Sequence, residues 1–362
     1  MPNTPADLHH YLDTLAQAAR PGDRAPTVRE LMRRFGASQA VVQHALNGLK
    51  TRGLIDAQVG RGSFFTAGGK IAAPREEDST GKVRSVLLLR RSVGIARGRV
   101  VVDGLQRRFA AEGQRVLEVS YTDPDHALSV LKGLPHFDAC MVQSSFETIP
   151  IDTLAALRQK ADVIAVDGAA LVGADVDAVG MEWGEPLAAA IQRLAQHGHR
   201  RIAYATTTRP FLANALGLRR LEQLRAIHPE FALQAISVPR LPQEDYEGTL
   251  VEMLRASLDT SGRLPFTALV AWGIENGARF RGLLEQAGLP LPSSLSVVLL
   301  GRADLASEHA DFFDTVGCNA ADQIDYLHEA ITARWADPAR AYGVRFLPVA
   351  TREGASIERP PA

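Results

Sequence analysis

From residue 83 onward the sequence alternates short, almost unbroken apolar runs with longer stretches of helical periodicity, and no other pattern in the chain restricts its fold as much. The runs at 86–89, 116–119, 139–142, 163–166 and 176–180 read as strands, with helical patterns at 100–111 and 128–134 between them. A second series follows, with strands at 202–205, 235–238, 268–271 and 295–300 and helices at 187–195, 216–227, 244–258 and 277–286. A strand that is apolar on both faces must be covered on both faces, which is the condition of a parallel sheet flanked by helices. The number of units suits two open sheets better than one, so an α/β body of two Rossmann-like lobes is expected. Ligands in such sheets bind beyond the carboxyl ends of the strands, and a pair of lobes adds a cleft that can close.

Residues 24–65 follow a different pattern. Thr27 can cap a helix whose apolar positions Val28, Leu31, Met32 and Phe35 recur at helical spacing, and Glu30 stands where a capping box needs it. Gly36 ends that helix and Ser38 opens another, in which Val41, Val42, Ala45, Leu46 and Leu49 form an apolar stripe. The opposite side carries Gln39, Gln43, His44, Asn47 and Lys50, short polar groups of the kind that touch base edges from a helix in the major groove. Gly53, Leu54 and Ile55 then lead into two short extended pieces around Gly60-Arg61-Gly62, where glycine permits a tight reversal and Arg61 can reach a phosphate or a minor groove. A winged helix-turn-helix is therefore expected over residues 1–68. Between residues 20 and 70 there are nine Lys or Arg against three acids, whereas the 362-residue chain has a formal net charge of -1. The positive charge is local, as an electrostatic footprint on DNA should be.

Residues 69–82 are rich in small residues, proline and mixed charge and read as an exposed linker, leaving 83–356 for the body and 357–362 as a tail. The chain opens on no cationic leader followed by an apolar run and contains no apolar span long enough to cross a bilayer, so a cytoplasmic location is expected. Cys140 and Cys318 are isolated among apolar neighbours and read as small buried hydrophobes. His197 and His199 belong to the polar end of a helix and the turn after it. No Gly-x-Ser-x-Gly elbow, phosphate loop or HExxH site occurs, and no catalytic, metal or cofactor-binding residue is nominated.

The N-terminal landmarks closely resemble the DNA-binding domain of the GntR family of bacterial regulators: a leading helix at 8–18, the 24–27 lead-in, the 38–50 helix, Arg52-Gly53-Leu54-Ile55 and the Gly60-Arg61-Gly62 wing. The family commonly carries arginine where Gln39 and Gln43 stand here. Glutamine can pair bidentately with adenine but lacks arginine's preference for guanine, so a changed operator sequence is expected. In the body, the segment from Val179 to Tyr204, and within it Gly198-His199-Arg200-Arg201-Ile202 above all, resembles the effector domain of the LacI family, a relative of periplasmic sugar-binding proteins. Leu289-Pro290-Leu291-Pro292 with Leu295-Ser296-Val297-Val298, Thr315-Val316, and Leu347-Pro348 through Arg352 continue the likeness over about residues 84–356. A GntR-type head on a LacI-type body resembles the arabinose-repressor branch. That pairing implies a homodimer holding two heads on double-stranded operator DNA, with a small molecule in each body.

Most of the groups that grip sugar hydroxyls in that family are replaced. Glu182 and Trp183 stand where an acid and an asparagine follow a strand, Asn214 where an arginine is common, Gly273-Ile274 where an Asn-Asp pair is common, and Gly301 with Arg302 where an aspartate is common. A ligand other than a sugar, an altered pose, or no ligand is implied. Trp183, Phe211 and Trp272 are candidates for flat apolar walls, with packing as the structural alternative, and Arg90, Arg91 and Arg302 are candidates for neutralising an acidic ligand. Ser144 and Asp167 also follow strands, where polar residues either face a ligand or cap the next helix. Arg352 reads as structural. On the DNA side, Lys50, Arg52 and Arg61 are expected on phosphates, Gln39, Gln43 and His44 on base edges, and Arg24, Thr27 and Ser38 complete the candidate set. The expected function is a dimeric, sequence-specific transcription regulator, a repressor controlled by a small molecule. The alternatives are a regulator whose body serves only for dimerisation, and an enzyme on the same parallel-sheet fold.

Overall fold

A computed structural model describes residues 8, 11, 12, 14–16, 19, 22–36, 42, 45, 46, 49, 55–58, 62–65, 83–92, 96–144, 146, 148–169 and 175–360. The chain forms two compact units, Met1–Gly81 and Lys82–Ala362. The linker expected at 69–82 lies outside the described residues.

In the first unit, α1 (Val28–Phe35) begins at Thr27, whose hydroxyl accepts the Glu30 N–H at 3.3 Å while the Glu30 carboxylate accepts the Thr27 N–H at 2.7 Å. These reciprocal bonds satisfy two of the donors that every helix start leaves open. Backbone and side-chain hydrogen bonds from Thr27 hold the Glu30 carboxyl below the usual carboxylate range. Gly36 ends the helix at a φ of 61°, in the left-handed region that glycine enters without a Cβ clash. Substituting Thr27 by alanine removes one acceptor and weakens the helix by about 1 kcal/mol. Hydrogen exchange at the 28–35 amides checks this, and unchanged protection contradicts the capping role.

Strands β1 (Ile55–Gln58) and β2 (Gly62–Phe65) pair antiparallel, with Ile55 opposite Phe65 and Gln58 opposite Gly62. The lead-in joins the outer edge of this hairpin: Ala25 N–H donates to Ser63 O and Phe65 N–H to Asp23 O, both at 2.8 Å. The core of the unit gathers Leu8 and Leu12, Leu31 of α1, Val42, Ala45, Leu46 and Leu49 at helical spacing, and Ile55 and Phe65 from the hairpin. Four of the five residues of the stripe read from periodicity are thus buried, and the fifth, Val41, lies outside the described residues. Arg34 binds the first helical segment to α1, donating to the Tyr11 hydroxyl at 2.8 Å with its guanidinium over the Tyr11 ring.

The second unit consists of two lobes. Lobe one holds β3 (Ser85–Arg91), β4 (Arg115–Tyr121), β5 (Phe137–Gln143), β6 (Ala161–Asp167), β7 (Asp177–Gly180) and a late strand, β13 (Val344–Phe346), all parallel in the order β13-β7-β6-β5-β3-β4. Its helices are α2 (Ala96–Ala111), α3 (Pro124–Gly133), α4 (Ile151–Arg158) and a long late helix, α10 (Ala320–Ala336). Lobe two holds β8 (Arg201–Thr207), β9 (Ala232–Val238), β10 (Ala268–Trp272), β11 (Ser296–Arg302), β12 (Asp314–Cys318) and β14 (Ala350–Arg352), in the order β14-β12-β11-β10-β8-β9; only β14 runs antiparallel. Its helices are α5 (Gly184–Gln196), α6 (Leu212–Ile227), α7 (Tyr246–Ala256), α8 (Gly277–Gln286) and the short α9 (Ala306–His309).

The chain passes between the lobes three times, after Gly180, after Cys318 and after Phe346. In β3 the side chains alternate between two cores: Val86 and Leu88 enter one, Leu87 and Leu89 the other. This is why the strand reads as an unbroken apolar run. Each such side chain contributes about 1.5–3 kcal/mol on burial. In the first sheet the strand order reverses between β3 and β5, so the ends of these two strands open a crevice.

Within the segment expected as the tail, Glu358 is fastened to the body. Glu358 N–H donates to Ser296 Oγ at 3.0 Å, and its carbonyl lies 2.8 Å from His199 Nε2. The other His199 nitrogen lies 2.9 Å from Thr267 Oγ1, and burial lowers the imidazole pKa, so this ring is held neutral in the turn after α5. His197 caps that helix, as read from the sequence. Arg352 pairs with Asp311 at 2.8 Å.

Candidate functional site

Of the nine residues nominated for DNA, Arg24 and Thr27 are described, and both are exposed. Arg24 stands where the lead-in bridges to Phe64 of the wing hairpin, and Thr27 caps α1. Ser38, Gln39, Gln43, His44, Lys50, Arg52 and Arg61 lie outside the described residues.

The body carries a cleft of about 180 Å³ at the carboxyl ends of the strands of its first sheet, closed on the other side by lobe two. Seven of the ten nominated ligand residues line it: Arg90 and Arg91 at the end of β3, Ser144 after β5, Asp167 at the end of β6, Trp183 in the first crossing, Phe211 ahead of α6 and Arg302 at the end of β11. Glu182, Asn214 and Trp272 do not. Glu182 accepts the Gly184 and Glu185 N–H groups at 2.7 and 2.8 Å and so caps α5. Asn214 is buried, accepting from the Thr206 hydroxyl at 2.6 Å and donating to Thr207 O at 2.9 Å, which ties the start of α6 to the end of β8. Trp272 is 0 % exposed and lies behind the wall, its ring 5.6–5.7 Å from those of Phe146, Phe211 and Tyr246.

Asp167 is the one carboxylate among the described lining residues, and amides take both of its oxygens. Gln143 Nε2 donates to one at 3.0 Å and Gln323 Nε2 to the other. Burial pushes the Asp167 pKa up, against the lowering by Gln143 and the nearby Arg302. The Arg302 backbone N–H donates to Glu308 at 2.8 Å, and its guanidinium lies against Cys318 Sγ. Cys318 is therefore buried as expected, though beside a charge and not wholly among apolar groups. At Gly301 a Cβ would collide with the Glu308 carboxylate, which fills the space.

Among the lining groups that the sequence did not single out are Arg97, Phe146 and Gln323, besides Arg99 and Gln143. Arg97, in the first turn of α2, crosses to lobe two, where its guanidinium lies 2.6 Å from Glu275 and 3.2 Å from Glu308 and donates to Ile274 O at 3.2 Å. Phe146 follows β5 with a φ of 70°, unusual for a bulky residue, and its ring reaches Phe211 of lobe two at 5.6 Å. Gln323 comes from α10, far along the chain. A signal existed for Arg97, which follows the first strand closely; none existed for Gln323. Among the described residues no group of three or more His, Cys, Asp or Glu is arranged to hold a metal, and no helix is long and apolar enough to cross a membrane.

Residues 13–65 match the family described as bacterial regulatory proteins, gntR family. The body is similar in fold to solved LacI family transcriptional regulators. One from Enterococcus faecium, with bound ribose, is 14 % identical with a TM-score of 0.61 over 76 % of this chain and 99 % of that one. One from Mycobacterium smegmatis is 17 % identical with a TM-score of 0.61 over 76 % and 100 %. A sugar-binding regulator from Escherichia coli, complexed with phosphate, is 16 % identical with a TM-score of 0.59 over 78 % and 100 %. The chain thus joins a gntR-type DNA-binding domain to a two-lobed body with the fold of LacI-family regulators.

Proposed function

We propose that this protein is a bacterial transcription regulator that binds double-stranded operator DNA as a homodimer and is controlled by a small molecule held between the lobes of its body. The observation that carries the reading is the joining, in one chain, of the gntR match at residues 13–65 to a body whose cleft is lined from both lobes. Any ligand that contacts both lobes favours their closed arrangement, and a change in lobe angle alters the spacing of two heads in a dimer. Repression by operator occlusion is the sign we assign, and action on the chromosome places the protein in the cytoplasm. The solved regulators with bound ribose or phosphate support a small-molecule ligand without naming the one used here. On the DNA side, Gln39, Gln43 and His44 read bases, Lys50, Arg52 and Arg61 neutralise phosphates, and Arg24, Thr27 and Ser38 position the lead-in and the helices.

Footprinting of the full chain over the DNA upstream of its own gene tests this. A protected two-fold sequence is expected, and no protection at low or physiological salt overturns the reading. Arg61→Ala is expected to weaken binding to all sequences alike and to make the dependence of log affinity on log salt shallower by about 2, one phosphate for each head of the dimer. Gln43→Ala is expected to relax the preference at one base pair in each half-site, costing about 1–3 kcal/mol per half-site. An unchanged salt slope with Arg61→Ala contradicts its place on a phosphate.

A further inference from the structure

The charged side chains of the cleft are arranged with one sign inward. Five arginines and one aspartate line it, among the described residues. The carboxylates that balance these arginines stand outside the lining: Glu118 at 2.9 Å from Arg90, Asp103 at 3.1 Å from Arg99, and Glu275 with Glu308 against Arg97. The aspartate that does line the cleft, Asp167, already has an amide on each oxygen. A ligand entering this space therefore meets N–H donors in front and their counter-charges behind, an arrangement that favours a negative group.

Three buried polar atoms on the described lining residues have no hydrogen-bond partner: Nε of Arg97, which lies 2.6 Å from Glu275, Nε of Arg302, a donor, and Oε1 of Gln323, an acceptor on a residue only 4 % exposed. A buried group left unsatisfied costs free energy, so such atoms mark where a ligand's own polar atoms fit. The apolar part of the lining includes the aromatic side chains Trp183, Phe146 and Phe211, the last two tilted against each other and against Trp272 behind them. Phe146 has a left-handed backbone, and its ring lies 5.6 Å from that of Phe211 in lobe two. Sugar recognition calls for several free acceptors around a ring of hydroxyls, and here the lining carboxylate is taken.

We propose that the cleft binds a small organic acid with a flat apolar body, its carboxylate accepting from Arg302 and the neighbouring arginines and its body stacked on the Trp183, Phe146 and Phe211 wall. A hydroxyl or ring N–H on that body meets Gln323 Oε1. The assignment rests on the reading of the cleft as the effector site of a regulator.

The test titrates the full-length protein by calorimetry and tryptophan fluorescence with benzoate, 4-hydroxybenzoate and indole-3-acetate, each against its own neutral amide, and with ribose and inorganic phosphate. At least one acid binds saturably, its amide binds at least about tenfold more weakly, and Arg302→Gln removes most of that difference. Phe211→Ala weakens acid and amide alike by about tenfold or more. The acid–amide comparison in the unaltered protein stands even if a variant does not fold. Equal affinity for acid and amide, binding of ribose or phosphate alone, or no binding by any of these compounds overturns the assignment. Operator affinity measured with each ligand separates the two claims. Ribose that binds and shifts operator affinity leaves regulation standing and removes the acid; an acid that binds and leaves operator affinity unchanged does the reverse.

Discussion

Replacing Arg97 by methionine lowers the stability of the body by about 3–5 kcal/mol at neutral pH, because it removes the counter-charge of the Glu308 carboxylate, which has no other salt-bridge partner among the described residues. Arg97 is 7 % exposed and Glu308 only 1 %, and the pair joins the two lobes. Methionine keeps much of the stem and deletes the charge, so the loss reports the ion pairs and the bond to Ile274 O more than packing. The loss depends on pH. Burial raises the Glu308 pKa above the ordinary glutamate value, and attraction to Arg97 is the largest influence opposing that rise. Without Arg97 the folded-state pKa climbs further. A carboxyl with a raised folded pKa holds its proton more tightly in the folded state, so stability falls as pH rises from the unfolded pKa through the folded one. The deficit of the variant is therefore small at about pH 5 and larger at about pH 7.5, and Arg97→Met with Glu308→Gln recovers a large part of it. Urea unfolding at both pH values measures these effects; a deficit below about 1 kcal/mol at neutral pH, or one that grows on acidification, contradicts the role assigned to the pair.

Trp272→Ala is the second large change, with an expected cost of about 3–5 kcal/mol from lost burial and the cavity left behind. The side chain is fully buried and touches three other aromatic rings, two of which form the cleft wall in front of it. Its indole N–H has no partner among the described residues. Trp272→Phe removes that unsatisfied donor while keeping an aromatic ring, so it costs well under half as much as alanine. If Trp272 were a ligand contact in its own right, the phenylalanine variant would lose ligand affinity out of proportion to its stability. The expected result is the opposite, with affinity following the integrity of the wall. Thermal unfolding and ligand titration of both variants decide between the two.

Much of the cleft was legible because one rule applies to it: residues at the carboxyl ends of strands in an open sheet face the crevice. Arg90, Arg91, Ser144, Asp167 and Arg302 were found in that way, and Trp183 and Phe211 by their size beside it. Glu182 and Asn214 satisfy the same sequence criterion and serve local backbone instead, one capping α5 and the other joining β8 to α6. A polar side chain near a strand end has both uses open to it, and only its direction chooses. Arg97 and Phe146 show the converse, since each finds partners in the other lobe, and Gln323 reaches Asp167 from α10, far along the chain.

Periodicity is a property of neighbours along the chain, and it sufficed for the two kinds of unit, the parallel strands and the buried stripe Val42, Ala45, Leu46 and Leu49. It also placed the positive charge on the N-terminal segment, since that is a matter of composition. Which charges balance which, and which polar atoms are left for a ligand, depended on three crossings that bring Arg97 to Glu308 and Gln323 to Asp167 over separations of more than 150 residues. Ion pairing and desolvation act through space at a few ångströms, so these questions were settled only once the lobes had packed.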